Sequence, residues 1–195
     1  MTTPVDPDHP AVPPADRPGS GVEEVLTERL RLRTWTDADL PAFAAMNGDP
    51  AVMEHLPKVL DRAASDALMD GLRAVWAERG LGLWAVERRA DGVLLGWAGL
   101  NPMPVGTPGA GEWEIGWRLT RAAWGHGYAT EAAAEGVRVA RELGLPRVWS
   151  MTVPANVRSI AVMRRLGMVE HGPFEHHRFE EGHRLRRHVA YLLEL

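Results

Sequence analysis

The feature that most limits how this chain can fold is an alternating stretch, EWEIGWRL (residues 112–119), followed closely by WGHGYATEA (124–132). Trp113, Ile115, Trp117 and Leu119 alternate with Glu112, Glu114, Gly116 and Arg118, the period of a strand with one apolar face. After Gly125 and Gly127, the run Ala129, Thr130, Glu131, Ala132 opens a helix that continues to about Leu143, where Gly144 and Pro146 stop it. A strand, a bare turn and a helix therefore follow one another. The first N–H groups of a helix have no internal partner and sit at the positive end of its dipole. Glycines before them let an anion approach the backbone, so His126, Gly127, Tyr128, Ala129 and Thr130 offer N–H groups to a pyrophosphate. Ordinary turn chemistry is the plainer reading of the same glycines. A dinucleotide fingerprint is excluded because position 130 is Thr and no early βαβ unit precedes it, and a P-loop because Gly-Lys-Ser/Thr is missing.

The rest of the chain supplies a sheet around this unit. VLTERLRLRTW predicts a first strand, and Asp39 ahead of Pro41 predicts a helix start. Residues 61–79 place Ala64, Leu68, Leu72 and Val75 on one face of a second helix, which Gly80 ends. LGLWAVE and VLLGWAGL flank RADG, a hairpin turn, and a loop rich in Pro and Gly covers 101–111. RVWSMTV predicts a strand, and NVRSIAVMRRLG a short helix with Ile160, Met163 and Leu166 on one face. The last 25 residues predict two strands around EEGH, with Gly182 in the turn. The expected fold is a single mixed α/β (α+β) domain over residues 21–195 with one central sheet. Residues 1–20, with six prolines and little to bury, are expected to form a disordered tail.

Composition narrows the chemistry. There is no cysteine, which removes disulfides, zinc thiolates and cysteine nucleophiles. Lys58 is the only lysine, so positive charge is nearly all arginine, and the net charge of −4 gives no reason to expect nucleic acid as a partner. RLRRH (184–188) is read as a solvated face. Eight histidines show no pair at helical spacing with a third ligand, so no metal is expected. No apolar run nears the roughly 20 residues of a membrane span, and the N-terminus lacks a secretory pattern, so a cytoplasmic protein without membrane partners is expected.

The stretch EIGWRLTRAAWGHGYATEA resembles the cofactor-binding motif of the GNAT superfamily of N-acetyltransferases, and within it the ribosomal-protein (RimJ/RimL-type) group. The family pattern Arg/Gln-x-x-Gly-x-Gly/Ala falls on Trp124 to Ala129, with Trp in the Arg/Gln place. LTERLRLR, NVRSIAVMRRLGM and the closing strand pair resemble the family in the same order, covering about residues 25–195.

The resemblance implies a GNAT-like open sheet splayed at the cofactor, four or so helices, and acetyl-CoA as co-substrate. It implies a pyrophosphate on the glycine turn, residues 125–130, with Trp124 opening the cofactor motif, and a pantetheine arm paired with the backbone of Trp117 and Leu119 and hydrogen-bonded by Asn156. The implied reaction is direct attack of a neutral amine, on a protein N-terminus or a small molecule, at the thioester carbonyl. Glu114 is the favoured base, with a solvated carboxylate or a partner of Arg118 as the plainer reading, and Glu175, His176 or His177 as alternatives. The implied oxyanion donor is one backbone N–H of the 115–118 strand, left unassigned. Many family members carry a Tyr acid seven residues past the Asn; here that place is Met163, and Ser159 matches the serine proposed for the ribosomal group, with a helix-start hydroxyl as the plainer reading. A homodimer is implied by likeness only. Acyl-chain length is left open, and the rival reading is a non-catalytic acyl-CoA-binding module. Trp84, Trp97 and Trp149 are expected in the core, while some of Trp113, Trp117 and Trp124 are expected to wall the acceptor pocket.

Overall fold

Thr27 decides how the fold begins. The computed structural model describes residues 22–195, and the tail expected over 1–20 lies outside the described residues. Where one first strand was expected, Thr27 folds the chain into a hairpin of β1 (Glu24–Leu26) and β2 (Leu30–Arg33). Its backbone N–H donates to the Leu30 carbonyl at 2.9 Å, and its Oγ1 accepts the Leu30 N–H at 2.8 Å. The hydroxyl thus offers the backbone a turn in place of continued extension.

Asp39 stands at the entry to α1 (Leu40–Asn47), as Pro41 requires, yet its carboxylate turns back instead of capping that helix. It accepts from the Thr36 N–H (2.9 Å) and, through both oxygens, from Arg33 (2.8 Å each), which pins β2 to the helix entry. The helix α2 (Arg62–Arg79) is capped by Asp61, which accepts from the Ala64 N–H, and ends at Gly80 with φ 63. Its buried line is Ser65, Met69, Leu72 and Trp76, one residue round from the expected face except at Leu72. Trp76 draws the helix over: its indole N–H and that of Trp35 both donate to the Leu83 carbonyl.

The strands β3 (Leu83–Arg88), β4 (Leu94–Pro102) and β5 (Trp113–Leu119) form an antiparallel meander. Then come α3 (Tyr128–Glu142), β6 (Arg147–Thr152), α4 (Val157–Arg165), β7 (Val169–Glu175) and β8 (Arg187–Glu194). The eight strands make one sheet in the order β1-β2-β3-β4-β5-β6-β8-β7, antiparallel except between β5 and β6. The last two strands are not joined by a tight turn at EEGH. Residues 176–186 form a longer folded connection, because buried His176 packs with Phe174, Phe179 and His188 inside it.

One face of the sheet carries α3, whose Ala132, Ala133, Gly136 and Ala140 are buried against β4 and β5. A Cβ at Gly136 would meet Ile115 Cδ1, so a side chain there would require that methyl to shift where helix and strand meet. Strand alternation then sends Glu114, Gly116 and Arg118 to the opposite face, where α1 and α2 lie. No helix among the described residues is long and apolar enough to cross a membrane.

Candidate active site

A short 3-10 turn, Arg121–Ala123, carries the chain from β5 to Trp124, whose indole N–H donates to the Leu119 carbonyl at 2.9 Å. The guanidinium groups of Arg121 and Arg158 each lie 4.7 Å from the Trp124 ring. Gly125 and Gly127 both hold left-handed conformations, φ 79 and 81, which a side chain rarely adopts. Gly127 is the residue before the first turn of α3, so no side-chain cap is there. Among the described residues, the N–H groups of 125–130 find no protein acceptor. Gly125, His126 and Gly127 are exposed, Tyr128 is buried, and Ala129 and Thr130 are half-buried.

This turn is braced from the first hairpin. Arg29 donates to the His126 carbonyl (2.8 Å) and to Glu131 (2.7 Å) and lies over the Tyr128 ring at 4.7 Å. Thr27 also donates to Glu131. Burial works to raise the Glu131 carboxyl, but Thr27 and Arg29 together hold it below the ordinary carboxylate range.

Beside the turn the sheet opens. β5 and β6 share one register pair, Glu114 opposite Trp149, and none toward Leu119. The β6-facing backbone of β5 beyond Glu114 is therefore available to an extended ligand. Trp117 is half-buried within this open stretch. Leu119 is buried, and its carbonyl already takes the Trp124 indole, so the expected pairing of an arm with Leu119 meets an engaged acceptor.

Glu114 stands where the two strands part. Burial pushes its carboxyl up to about 7, against a weak opposing pull from the Asn101 amide at 3.4 Å. No ion pair joins it to Arg118, so neither plainer reading of this carboxylate fits: it is not freely solvated, and Arg118 does not neutralise it. The alternatives are differently placed. Glu175 is exposed and pairs with Arg186 at 2.9 Å. His176 is buried, and burial, with His188, Arg178 and His177 around it, pushes it down to about 4. His177 is exposed and lies against Gly106 of the loop after β4.

Asn156 caps α4. Its Oδ1 accepts the Ser159 N–H (3.2 Å), and its Nδ2 donates to Thr152 Oγ1 (3.0 Å), so both ends of the amide have partners inside the protein. Ser159 is half-buried and its hydroxyl has no bond to a described residue. Met163 is 1% exposed and belongs to the core.

One tryptophan assignment is narrowed and another changes. Trp113, 7% exposed, points to the α3 side and into the core, away from Glu114. Trp97, expected in the core, is only half-buried, pairs with Arg118 across β4 and β5, and therefore shares the Glu114 face. Gly99 and Asn101 fall on the same face, opposite Gly116 and Glu114. Arg118 lies over Trp97 (5.1 Å) and donates to Asn47 Oδ1 (2.7 Å), whose amide donates to Ser65 (2.9 Å). Trp97, Asn47 and Arg118 were not among the expected site residues. The signal for the first was the mirrored alternation of Trp97-x-Gly99-x-Asn101 with Glu114-x-Gly116-x-Arg118, and for Asn47 there was none.

The model of the acetyltransferase (GNAT) domain family matches residues 29–169. A Bacillus subtilis protein called YkkB is 29% identical over 152 residues, 74% of this chain and 84% of its own. The FsC-acetyl coenzyme A-N(2)-transacetylase of Aspergillus fumigatus is 39% identical over 95 residues, 46% of this chain and 39% of its own. Among solved structures, an acetyltransferase from Agrobacterium tumefaciens superposes with a TM-score of 0.71 at 27% identity, covering 88% of this chain and 94% of its own.

Proposed function

Because the chain belongs to the acetyltransferase (GNAT) domain family and is an N-acetyltransferase, we propose that it transfers an acetyl group from acetyl-CoA to a primary amine by direct attack in a ternary complex. The observation that carries this reading is Glu114: a carboxyl raised to about 7, placed where β5 and β6 part, beside a turn of unpaired N–H groups. A base works best when its pKa lies near the operating pH, and of the candidate groups only Glu114 combines that value with this place. His176, at about 4, is a far weaker base.

The residues present fit the cofactor: the bare turn suits a pyrophosphate and the unpaired edge suits an extended arm. When bound, acetyl-CoA supplies a thioester carbonyl open to a neutral amine. Residues 126–130 hold the diphosphate through backbone N–H groups, with Trp124 and Gly125 shaping the turn. The backbone of Trp117 aligns the arm, and Leu119 contributes less because its carbonyl is engaged. Asn156 acts by fixing the first turn of α4. Glu114 takes the ammonium proton, N–H groups of 115–118 face the developing oxyanion, and Ser159 returns a proton to the sulfur.

The motif resemblance supports the RimJ/RimL-type group, with a protein N-terminus or a small amine as acceptor. A homodimer is proposed on the same likeness, and a cytoplasmic site of action as the default place for such an enzyme. Met163 favours the second reading, a non-catalytic acyl-CoA-binding module, since it lacks a proton to give. Calorimetric titration with acetyl-CoA, beside Gly127→Glu, tests the proposal: micromolar binding that the substitution abolishes supports it. Binding without turnover of any amine or peptide would favour the module, and no binding by folded protein would overturn both readings.

A further inference from the structure

The face of the sheet that presents Glu114 has more hydrogen-bond donors than the protein can use. Arg118 lies four residues along the same strand, about 13 Å away between backbone positions at the usual rise. Arg118 is half-buried, and burial pushes its guanidinium down to about 10 with no carboxylate acting against that loss. Its one protein partner among the described residues is Asn47 Oδ1, a neutral acceptor for one of five guanidinium N–H bonds. Trp97, stacked beneath it, has a buried indole N–H with no acceptor. The chain carries 26 acidic residues, and Arg33, enclosed at the entry to α1, has both Asp39 and Glu87. A half-buried guanidinium without a counter-charge is costly, and an unpaired buried donor such as the Trp97 indole N–H is rare in folded proteins. Asn47, held by Ser65, aims the group without neutralising it.

On the acetyltransferase reading, the attacking nitrogen sits by Glu114 and the rest of the acceptor extends along this face. We infer that the acceptor amine carries a carboxylate several bonds from the attacking nitrogen, and that Arg118, aimed by Asn47 and backed by Trp97, binds it. That backbone spacing favours a carboxylate several bonds from the amine over the adjacent one of a free α-amino acid reacting at its α-nitrogen. It suits an ω-amino acid, or a peptide N-terminus followed within a few residues by Asp or Glu. Gly99 and Gly116, paired across β4 and β5 between the two ends, carry no side chain of their own, and the Trp97 ring beside Gly116 gives a chain a flat surface to lie along.

The test compares matched acceptors on the whole protein. 6-Aminohexanoate is set against hexylamine and 1,6-diaminohexane, and a tetrapeptide with Glu third against the same peptide with Gln. The expected result is a preference in kcat/KM of about 10-fold or more for at least one carboxylate-bearing member, the scale of one charge-assisted bond pair. Arg118→Met should bring that ratio close to 1, and Arg118→Lys should keep part of it. Asn47→Ala removes the aiming bond but no charge; it should lower the melting temperature and leave a preference, which separates anion binding from mere support of the fold. Whether the free acid or the peptide shows the preference identifies the source of the carboxylate. Equal or better use of the uncharged or dicationic amines, or a preference that survives Arg118→Met, overturns the inference. If no acceptor turns over, 6-acetamidohexanoate is titrated into the CoA complex, and no binding by protein that still binds acetyl-CoA overturns it equally. Loss of acetyl-CoA binding itself would instead overturn the acetyltransferase reading beneath it.

Discussion

Glu114→Gln is expected to make the protein more stable and far less active, and the two effects have one cause. Burial raises the Glu114 carboxyl from its ordinary 4.5 to about 7. That rise corresponds to about 3 kcal/mol, the cost of keeping the group ionised in the folded state relative to the unfolded chain. A raised pKa means that the folded protein binds the proton more tightly. Its contribution is fully present below about pH 4.5 and is lost as pH rises through about 7. Glutamine has nearly the same shape, keeps an oxygen toward the Asn101 amide, and cannot ionise. The stability difference, variant minus wild type, should therefore be near zero at pH 4.5 and grow to as much as about 3 kcal/mol at pH 8, roughly 6–12 °C in Tm for a chain of this size. Urea unfolding of both proteins at several pH values measures it, and the pH responses of other groups cancel in the difference. The kcat of the variant should fall roughly 10²- to 10⁴-fold, and wild-type kcat should rise with a limb near pH 7. A pH-independent stability difference would refute the buried-carboxyl argument. A variant with full kcat would refute the base assignment even if the stability prediction held.

Asp39→Ala should cost about 3–5 kcal/mol in urea unfolding, because it leaves Arg33 enclosed with half of its hydrogen bonds gone. Asn156→Ala should cost about 0.5–2 kcal/mol by uncapping α4, with its effect on acetyl-CoA affinity read separately by calorimetry. Glu131→Gln should weaken the brace on the glycine turn at neutral pH. Because its carboxyl is held below the ordinary range, the loss relative to wild type should shrink as pH falls through that folded pKa, as thermal melts from pH 7 to 3 would show.

The backbone plan was legible wherever local chemistry and tertiary packing agree. The β5 alternation, the Gly80 and Gly144 stops, the Asp39–Pro41 helix entry and the glycine turn all rest on rules that act within a few residues. The errors have a different origin. Thr27 breaks the first strand with its own hydroxyl, a choice hidden inside an unbroken alternating pattern. The buried line of α2 is set by Trp76 reaching the Leu83 carbonyl, a contact across the fold. Trp97 looked like core because it sits amid apolar residues, yet register with β5 puts it beside Arg118. Glu114 was recognisable by position in a motif, but its raised pKa depends on enclosure that no single stretch encodes. Asn47 reaches Arg118 from 71 residues away in sequence and was invisible for that reason.

Ser159 provides the final test, because the position where many relatives place a tyrosine is occupied by a core methionine. Met163 is packed at 1% exposure, so Met163→Tyr would overfill the core at a cost of about 1–3 kcal/mol without delivering a hydroxyl to the cofactor. Ser159 is half-buried at the first turn of α4, its backbone fixed by Asn156 and its hydroxyl without a partner among the described residues. If it protonates the departing sulfur, Ser159→Ala lowers kcat at pH 7, where a thiol of ordinary pKa near 8.5 needs its proton. Above that value a thiolate can leave unaided, so the deficit should shrink steadily between pH 7 and 9.5. A deficit constant over that range would mark the hydroxyl as a positioning group, and no deficit at all would return it to the role of an ordinary helix-start serine. The same pH series on Met163→Tyr should show reduced stability and no gain in kcat at pH 7; a gain there would mean that a hydroxyl at 163 reaches the sulfur after all.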